Sequence, residues 1–370
     1  MTALDFTTER CGEQFRGTPT ELRASDTEDL ATFLVSVFGG ELAIWKDWFA
    51  HWWTLNPARH PSIPRGWAMR SSTGAIIAFT ANIPFRYVID GKPALCCATG
   101  CTAVDSDWRG LGLAKAVGRK FVEQPHGDLL VGVDSTPVAL GLWRSLGMQL
   151  LEERWLKTHS RVLADGAALG AALSERAGLP PIVGRVAGAC MALWLDSPVA
   201  AMRRSKSLSI TKIDRFAEAD ADDIAICRAS NASTYCYRDV GTLNWLYFGS
   251  PYLNRTRTVL VARSGAQLVG YLAMKPWPPH SHYLLECRCH NSDPEIAREL
   301  ILAARELARQ DRAPSIVARP YTRMIEAAIP SAVSIQVVRP PTTYCYKFRT
   351  GDVSTKNWET APGDGDVSVN

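Results

Sequence analysis

Val104-Asp105-Ser106-Asp107-Trp108-Arg109-Gly110-Leu111-Gly112-Leu113-Ala114 is the stretch on which the reading of this chain turns. An apolar run from Ala94 to Val104 precedes it as a strand. After it, Leu113, Val117 and Phe121 recur at helical spacing, with Lys115, Arg119 and Lys120 on the opposite face. Gln124-Pro125-His126-Gly127 stops that helix, and Leu129 to Val133 reads as a strand inside a sheet. Strand, glycine turn and helix in this order form an anion-binding device. The first turn of a helix leaves backbone N–H groups unpaired, and the macrodipole places about half a positive charge there. Gly110 and Gly112 remove Cβ atoms that would hold an anion away from those donors, and Arg109 adds a cation at the same end. Any phosphate-bearing ligand suits this chemistry.

Outward from that segment, one order of elements occurs twice. Glu21-Leu22-Arg23 reads as a short strand, followed by a helix capped by Ser25 or Asp26 and running to Phe38. A Trp-rich helical segment with Trp45, Trp48, Trp52 and Trp53 comes next. Strands then follow at Gly66 to Arg70, Ala75 to Ala81, 84–89 and 94–104, with turns at Gly74 and Asp90-Gly91. In the second half, Ser207 to Ile213 reads as a strand and Ala219 to Ala229 as a helix. Asn244-Trp245-Leu246-Tyr247 echoes the Trp segment, and Val259 to Arg263 with Gln267 to Lys275 echoes the hairpin around Gly74. A shared order of this kind points to duplication of one domain.

At 370 residues the chain exceeds one average domain, which agrees with two copies. A hydrophobic fraction of 46% and a charged fraction of 21% place it with ordinary globular proteins rather than disordered or membrane chains. A net charge of +4 without a Lys/Arg block gives no reason to expect nucleic acid. Met1-Thr2-Ala3-Leu4-Asp5 lacks the pattern of a signal peptide, so a cytoplasmic location with reduced thiols is expected. The ten cysteines show no paired C-x-x-C units, and no metal is expected. The longest apolar stretch, Ile182 to Leu195, is interrupted by Arg185 and too short to span a bilayer. It reads as a buried or inter-domain helix, with an interfacial helix as the alternative, and no integral membrane segment is expected.

The stretch at 104–114 resembles the acetyl-CoA signature of the GNAT N-acetyltransferase superfamily, R/Q-x-x-G-x-G/A. Arg109, Gly112 and Ala114 stand at its defining places, and Val104 with Trp108 fits the run before it. Downstream, Thr136-Pro137-Val138-Ala139, Trp143 and Leu146-Gly147-Met148 keep the spacing of the family's Asn-x-x-Ala-x-x-x-Tyr and Leu-Gly-Phe. The resemblance covers residues 94–152 and extends back to about 20. It implies an α/β (α+β) fold: a mixed, mostly antiparallel sheet with a central splay, flanked by helices. It also implies acetyl-CoA, or another short acyl-CoA, as co-substrate, held by Val104, Arg109, Gly110, Leu111, Gly112, Leu113 and Ala114, with Trp143 at the second block. The reaction implied is transfer to a small-molecule amine, an amino sugar among the acceptors.

Two departures affect the chemistry. Trp143 stands where the family has its proton-donating Tyr, and an indole N–H is not a useful acid. Thr136 replaces the Asn. Asp134, at the end of the strand after the helix, is the candidate base with Ser135 beside it, although a carboxylate there also suits a helix cap. Cys97, Thr99 and Cys101 alternate along the acyl-site strand, so an acyl-Cys route stands against the reading of buried, inert thiols. In the second copy, Ser292 with Glu295 reads as a capping box and Pro294 as an early helical residue. No glycine opens that helix terminus, and this copy is expected to bind no coenzyme.

The expected organisation is a first GNAT domain at 1–159, a helical connector at 160–206, a degenerate GNAT-like domain at 207–350 and a disordered tail at 351–370. Two rival functions stay open: a catalytically weak CoA-binding scaffold or sensor, and a transferase using longer acyl-CoA or acyl-ACP. Homodimerisation is also open.

Overall fold

The structure, a computed structural model, describes residues 6–10, 13–133, 136–151, 158–180, 182–184, 186–190, 208–227, 232–278, 280–319, 321–329, 333–338, 344–349, 355 and 358–359. A separate hairpin, β1 (Phe6–Arg10) with β2 (Glu13–Gly17), precedes the first sheet. That sheet is built from β3 (Thr20–Glu21), β4 (Gly66–Arg70), β5 (Ile76–Ile89), β6 (Lys92–Val104), β7 (Leu129–Val133) and β8 (Gln149–Leu150). Next in the chain are β9 (Thr158–Leu163), β10 (Ser209–Ile213), β11 (Thr234–Cys236), β12 (Thr258–Ser264), β13 (Gln267–Trp277), β14 (Ser281–Cys289) and β15 (Ser315–Ala318). The last three strands are β16 (Ser334–Val338), β17 (Tyr344–Phe348) and β18 (Trp358–Glu359).

Local sequence explains the long hairpin at the centre of the first sheet. Asp90 and Gly91 both adopt positive φ, 49° and 76°, which a two-residue turn between twisted strands requires. Neighbouring antiparallel strands β5 and β6 then pair from Ile89↔Lys92 to Ala78↔Val104, with one shift of register between Ala81 and Phe79. β6 pairs in parallel with β7 only from Cys96↔Leu129 to Thr99↔Gly132, beyond which the two strands part. The second sheet repeats this: β14 and β15 are parallel at His282↔Ile316 and Tyr283↔Val317 and then diverge. Both sheets are mixed and mostly antiparallel, with a splay at the centre and helices on their faces.

The strand beside each splay comes from the other half of the chain. The first sheet runs β4-β5-β6-β7-β17-β8, so Tyr344–Phe348 from near the C-terminus lies antiparallel between β7 and β8. The second runs β10-β12-β13-β14-β15-β9-β16, so Thr158–Leu163 lies between β15 and β16. This corrects the expected boundaries. The connector does not begin at 160, because residues up to 163 are a sheet strand. Helical connector is found at Gly166–Arg176 and at 182–184 and 186–190, while 191–207 lie outside the described residues. Those helices pack through glycines: a Cβ on Gly170 would lie 2.4 Å from the Gly184 carbonyl. With small residues inward, Ile182 and Val186 are exposed. In the tail expected to be disordered, Trp358 and Glu359 are buried, and β18 pairs with β11 on an extension of the first sheet; the remaining residues of 351–370, apart from Thr355, lie outside the described ones.

One apolar core runs through both halves, joining Trp45, Trp48 and Trp52 to Trp245, Tyr271 and Tyr344. At the junction the Trp245 indole N–H donates to the His51 carbonyl at 2.7 Å, and the two rings stack at 4.8 Å. Tyr235, Trp245 and Tyr247 are core residues, while Tyr237 between them is exposed. Beside this core, Glu286 of β14 is fully buried. Arg238 reaches both its carboxylate oxygens at 3.1 Å, Tyr247 donates to it, and Arg288 bridges it to Glu359 of β18. Burial alone would push the Glu286 carboxyl up. The Arg238 and Arg288 guanidiniums outweigh that and hold it down at about 2.

Two outcomes follow from this architecture. Residues 1–151 expressed alone lack β17 and should show no cooperative thermal unfolding by circular dichroism, whereas the full chain should; a cooperative transition in the fragment would contradict the strand exchange. Glu286→Ala takes the paired carboxylate from buried Arg238 and leaves Arg288 with Glu359 alone, and should cost about 3–5 kcal/mol in denaturant unfolding. Because the folded-state pKa is depressed, the carboxylate's contribution is complete above its ordinary value of 4.5 and is lost as pH falls toward about 2. Glu286→Gln should therefore show a flatter stability profile than the parent between those values.

Candidate functional site at the first splay

β6 ends at Val104, and a single helical turn, Ser106–Trp108, leads to the glycines. Asp105 fixes that turn by accepting from the Asp107 amide at 2.9 Å. Trp108, Leu111 and Leu113 pack on Met69, Ile77 and Val117, which anchors the loop from beneath. Gly110 and Gly112 both take positive φ, 85° and 78°, a conformation that resists side chains. A Cβ at Gly110 would meet nothing within 4 Å, so the space above the loop is open. The helix Leu113–Glu123 starts at Gly112 with no side-chain cap and no acidic residue in its first turn. Its first intrahelical bond is from the Ala116 amide to the Gly112 carbonyl, so the amides before Ala116 have no acceptor within the helix. Arg109 is exposed at this terminus, its Nε donating to the Val104 carbonyl at 3.3 Å. Bare amides, a cation and no carboxylate cap make a fitting cradle for a pyrophosphate.

The sequence-derived residues separate into three groups. Val104, Arg109, Gly110, Leu111, Gly112, Leu113 and Ala114 come together at the mouth of the splay. Leu113 is buried as an anchor, and Gly110 and Gly112 are exposed. Asp134 and Ser135 lie outside the described residues. Their flanks are defined: β7 ends at Val133, and Thr136 caps the next helix, Pro137–Ser145, by accepting from the Ala139 amide. The capping role weighed for Asp134 is thus filled by Thr136. Trp143, third, is 2% exposed and packs edge-on against Phe121 at 5.7 Å. Its ring lies 3.2 Å from where a Cβ on Gly118 would sit, so it locks two helices together within the core.

Burial pushes the thiols of Cys97 and Cys101 up to about 12. Near neutral pH both are protonated, which removes the nucleophile an acyl-Cys route needs. Sequence reading missed Thr80, whose hydroxyl meets those of Thr99 and Thr102 at the apex of the splay. Only its place in a strand facing Thr99 could have signalled this.

The second splay has the same scaffold and opposite chemistry. Its helix, Pro294–Gln310, is capped by Asp293, which accepts from the Glu295 amide at 2.8 Å. This corrects the expected capping box: Ser292 is not the cap, and Glu295 pairs with Arg298 instead. Where β14 and β15 part, the Tyr321 hydroxyl accepts from the Cys287 amide at 2.8 Å and donates to the Cys287 carbonyl at 3.0 Å. A shallow depression nearby is lined by Arg288, Cys289, Thr322 and Glu359. Backbone donors that the first copy leaves open are here satisfied by the protein itself.

Solved structures share this architecture. A GCN5-related N-acetyltransferase from Anabaena variabilis matches with a TM-score of 0.54 at 9% identity, over 90% of this chain and 72% of that one. A proposed acetyltransferase from Pyrococcus horikoshii matches at 0.53 and 12% identity, over 96% and 97%. Saccharomyces cerevisiae N-myristoyltransferase with bound myristoyl-CoA matches at 0.52 and 12% identity, over 93% and 82%. No protein-family model and no curated protein sequence matches the chain. The fold is the one these acyltransferase structures share, and its splayed arrangement occurs in both sheets of the chain. Among the described residues, no helix is long and apolar enough to cross a membrane.

The thiol assignment has a direct check. Iodoacetamide at pH 8 should alkylate the exposed Cys190 and spare Cys97 and Cys101, as read by peptide mass spectrometry. Modification of either strand cysteine at the rate of Cys190 would reinstate the nucleophilic route.

Proposed function

We propose that the chain is an N-acyltransferase that takes an acetyl or other short acyl group from acyl-CoA and passes it to a small-molecule amine, an amino sugar among the acceptors. The observation that carries this reading is the uncapped helix terminus at Gly112, open to solvent at the mouth of a splayed sheet. In this reading Val104, Arg109, Gly110, Leu111, Gly112, Leu113 and Ala114 hold the coenzyme diphosphate, and Trp143 supports the loop's helix from behind. Acyl-CoA supplies an activated thioester. Asp134, with Ser135 beside it, takes the proton from the attacking amine. Acyl-CoA as donor is supported by the yeast enzyme of the same fold, which holds myristoyl-CoA. That comparison leaves acyl length open, so longer acyl-CoA or acyl-ACP is tested by competition against acetyl-CoA.

One observation favours a second reading. Trp143 is buried where the family has its acid, which suits a CoA-binding scaffold or sensor. A thiol-release assay across a panel of amines separates the two: binding without turnover on any acceptor supports the scaffold.

Gly112→Asp introduces a charge beside the phosphates and a side chain at a φ of 78°, and should reduce acetyl-CoA affinity by at least about 100-fold in calorimetry. Asp293→Ala serves as the control. It should cost about 1 kcal/mol of stability by removing a cap while leaving coenzyme affinity unchanged. Unaltered affinity in the first variant, or a loss in the second, would reassign the site.

A further inference from the structure

Three threonine hydroxyls close a triangle where the first sheet splays. Thr80 Oγ1 on β5 lies 2.9 Å from Thr99 Oγ1 and 2.8 Å from Thr102 Oγ1, both on β6, and Thr99 and Thr102 are 3.3 Å apart. Thr80 is fully buried, Thr99 is 8% exposed and Thr102 is half-buried. A hydroxyl donates once and accepts more than once, so each member of a closed trio can satisfy the others without an outside partner. Losing one member breaks two of the three contacts and leaves the remaining two hydroxyls with only each other.

The triangle spans a defect in the sheet. Phe79 pairs with Ala103 and Ala81 with Gly100, so β6 spends one more residue than β5 over the same length. Cys101 inside this bulge has a φ of 48°, uncommon for a residue with a side chain. Thr99 stands just before the bulge and Thr102 within it, and Thr80 opposite holds both. Thr99 is also the last residue of β6 that pairs with β7, opposite Gly132. Past that point no strand among the described residues pairs with that edge of β6. The path of the bulge decides which β6 N–H groups face the gap.

We infer that Thr80 is a positioning residue: its hydroxyl pins the Gly100–Ala103 bulge and so aims the free backbone N–H groups of β6 into the splay, where they polarise the acyl carbonyl during transfer. This rests on the acyltransferase reading above. Thr80 touches neither donor nor acceptor in this scheme and acts through the main chain of β6. A donor displaced by a fraction of an ångström loses much of its effect on a developing oxyanion, while a diphosphate held at Gly112 is gripped as before.

Thr80→Val is nearly isosteric and deletes only the hydroxyl, and Thr80→Ser restores it. In Thr80→Val, amide hydrogen exchange across Gly100–Ala103 should accelerate at least about 10-fold. The kcat for acyl transfer, or for acyl-CoA hydrolysis in the absence of an acceptor, should fall about 10- to 100-fold, with acetyl-CoA affinity within about 2-fold of the parent. Thr80→Ser should recover most of both losses, and Thr102→Val should reproduce them if Thr80→Val folds poorly. Unchanged exchange in the bulge would overturn the pin. Faster exchange with full turnover would overturn its link to catalysis. If the parent protein turns over no acyl-CoA at all, the enzyme reading and the catalytic link fail together, and the exchange measurement still decides the pin.

Discussion

A sheet missing an inner strand exposes two unpaired edges, and each half of this chain is in that position without the other. β17 satisfies the edges of β7 and β8, and β9 satisfies those of β15 and β16. Backbone N–H and C=O groups buried without partners are costly, so neither half has a low-energy state alone. The shared core follows from this constraint: with the strands exchanged, the Trp-rich helices of the first half meet Trp245 and Tyr252 of the second. The candidate site depends on it too. Tyr344 pairs in register with Val133, so a strand from near the C-terminus holds the end of β7 at the first splay.

The two halves share a splayed scaffold and differ at the residues that decide the chemistry of each splay. The same helix begins at Gly112 in one copy and behind Asp293 in the other. A glycine leaves the amides bare, whereas a carboxylate neutralises them and would repel a phosphate. The gap between the parting strands is open past Thr99 in the first copy, and in the second the Tyr321 hydroxyl bridges to Cys287. The second copy instead carries Glu286 and its arginines, which tie β14 to the segment after β11 and to β18. Charge is used there to join sheets.

How much of this was legible in the sequence depends on how local the signal is. Period-two runs located most strands to within a few residues, and Asp90-Gly91 announced its hairpin. The loop at 109–114 declared its helix terminus, because glycine turns and helical spacing are local patterns. Strand partnership is not local. His159-Ser160-Arg161 alternates too weakly to reveal that it lies between β15 and β16, so it read as the start of a connector. Trp358 and Glu359 sit in a Gly- and Asp-rich tail that has little else to bury. The cap fell to Asp293 rather than Ser292 because Pro294 already occupies the first helical position. The hydroxyl triangle was invisible for the same reason as the exchanged strands: Thr80 and Thr99 are adjacent only after β5 and β6 pair.

The burial of Trp143 constrains any chemistry at this site more than the missing phenol does. A side chain wedged between Phe121 and Gly118 cannot swing toward a bound thioester without opening the core. In the acyltransferase reading, the leaving thiolate must then take its proton from water or from a group elsewhere in the cleft. A thiol has an ordinary pKa of about 8.5, so its anion is a tolerable leaving group near neutral pH. The harder part of the reaction is polarising the carbonyl and deprotonating the amine. In that reading those steps fall to the main chain of β6 past its pairing with β7 and to the proposed base Asp134. The identity of an acid is the part of the family's machinery that such a site can lose with the smallest penalty.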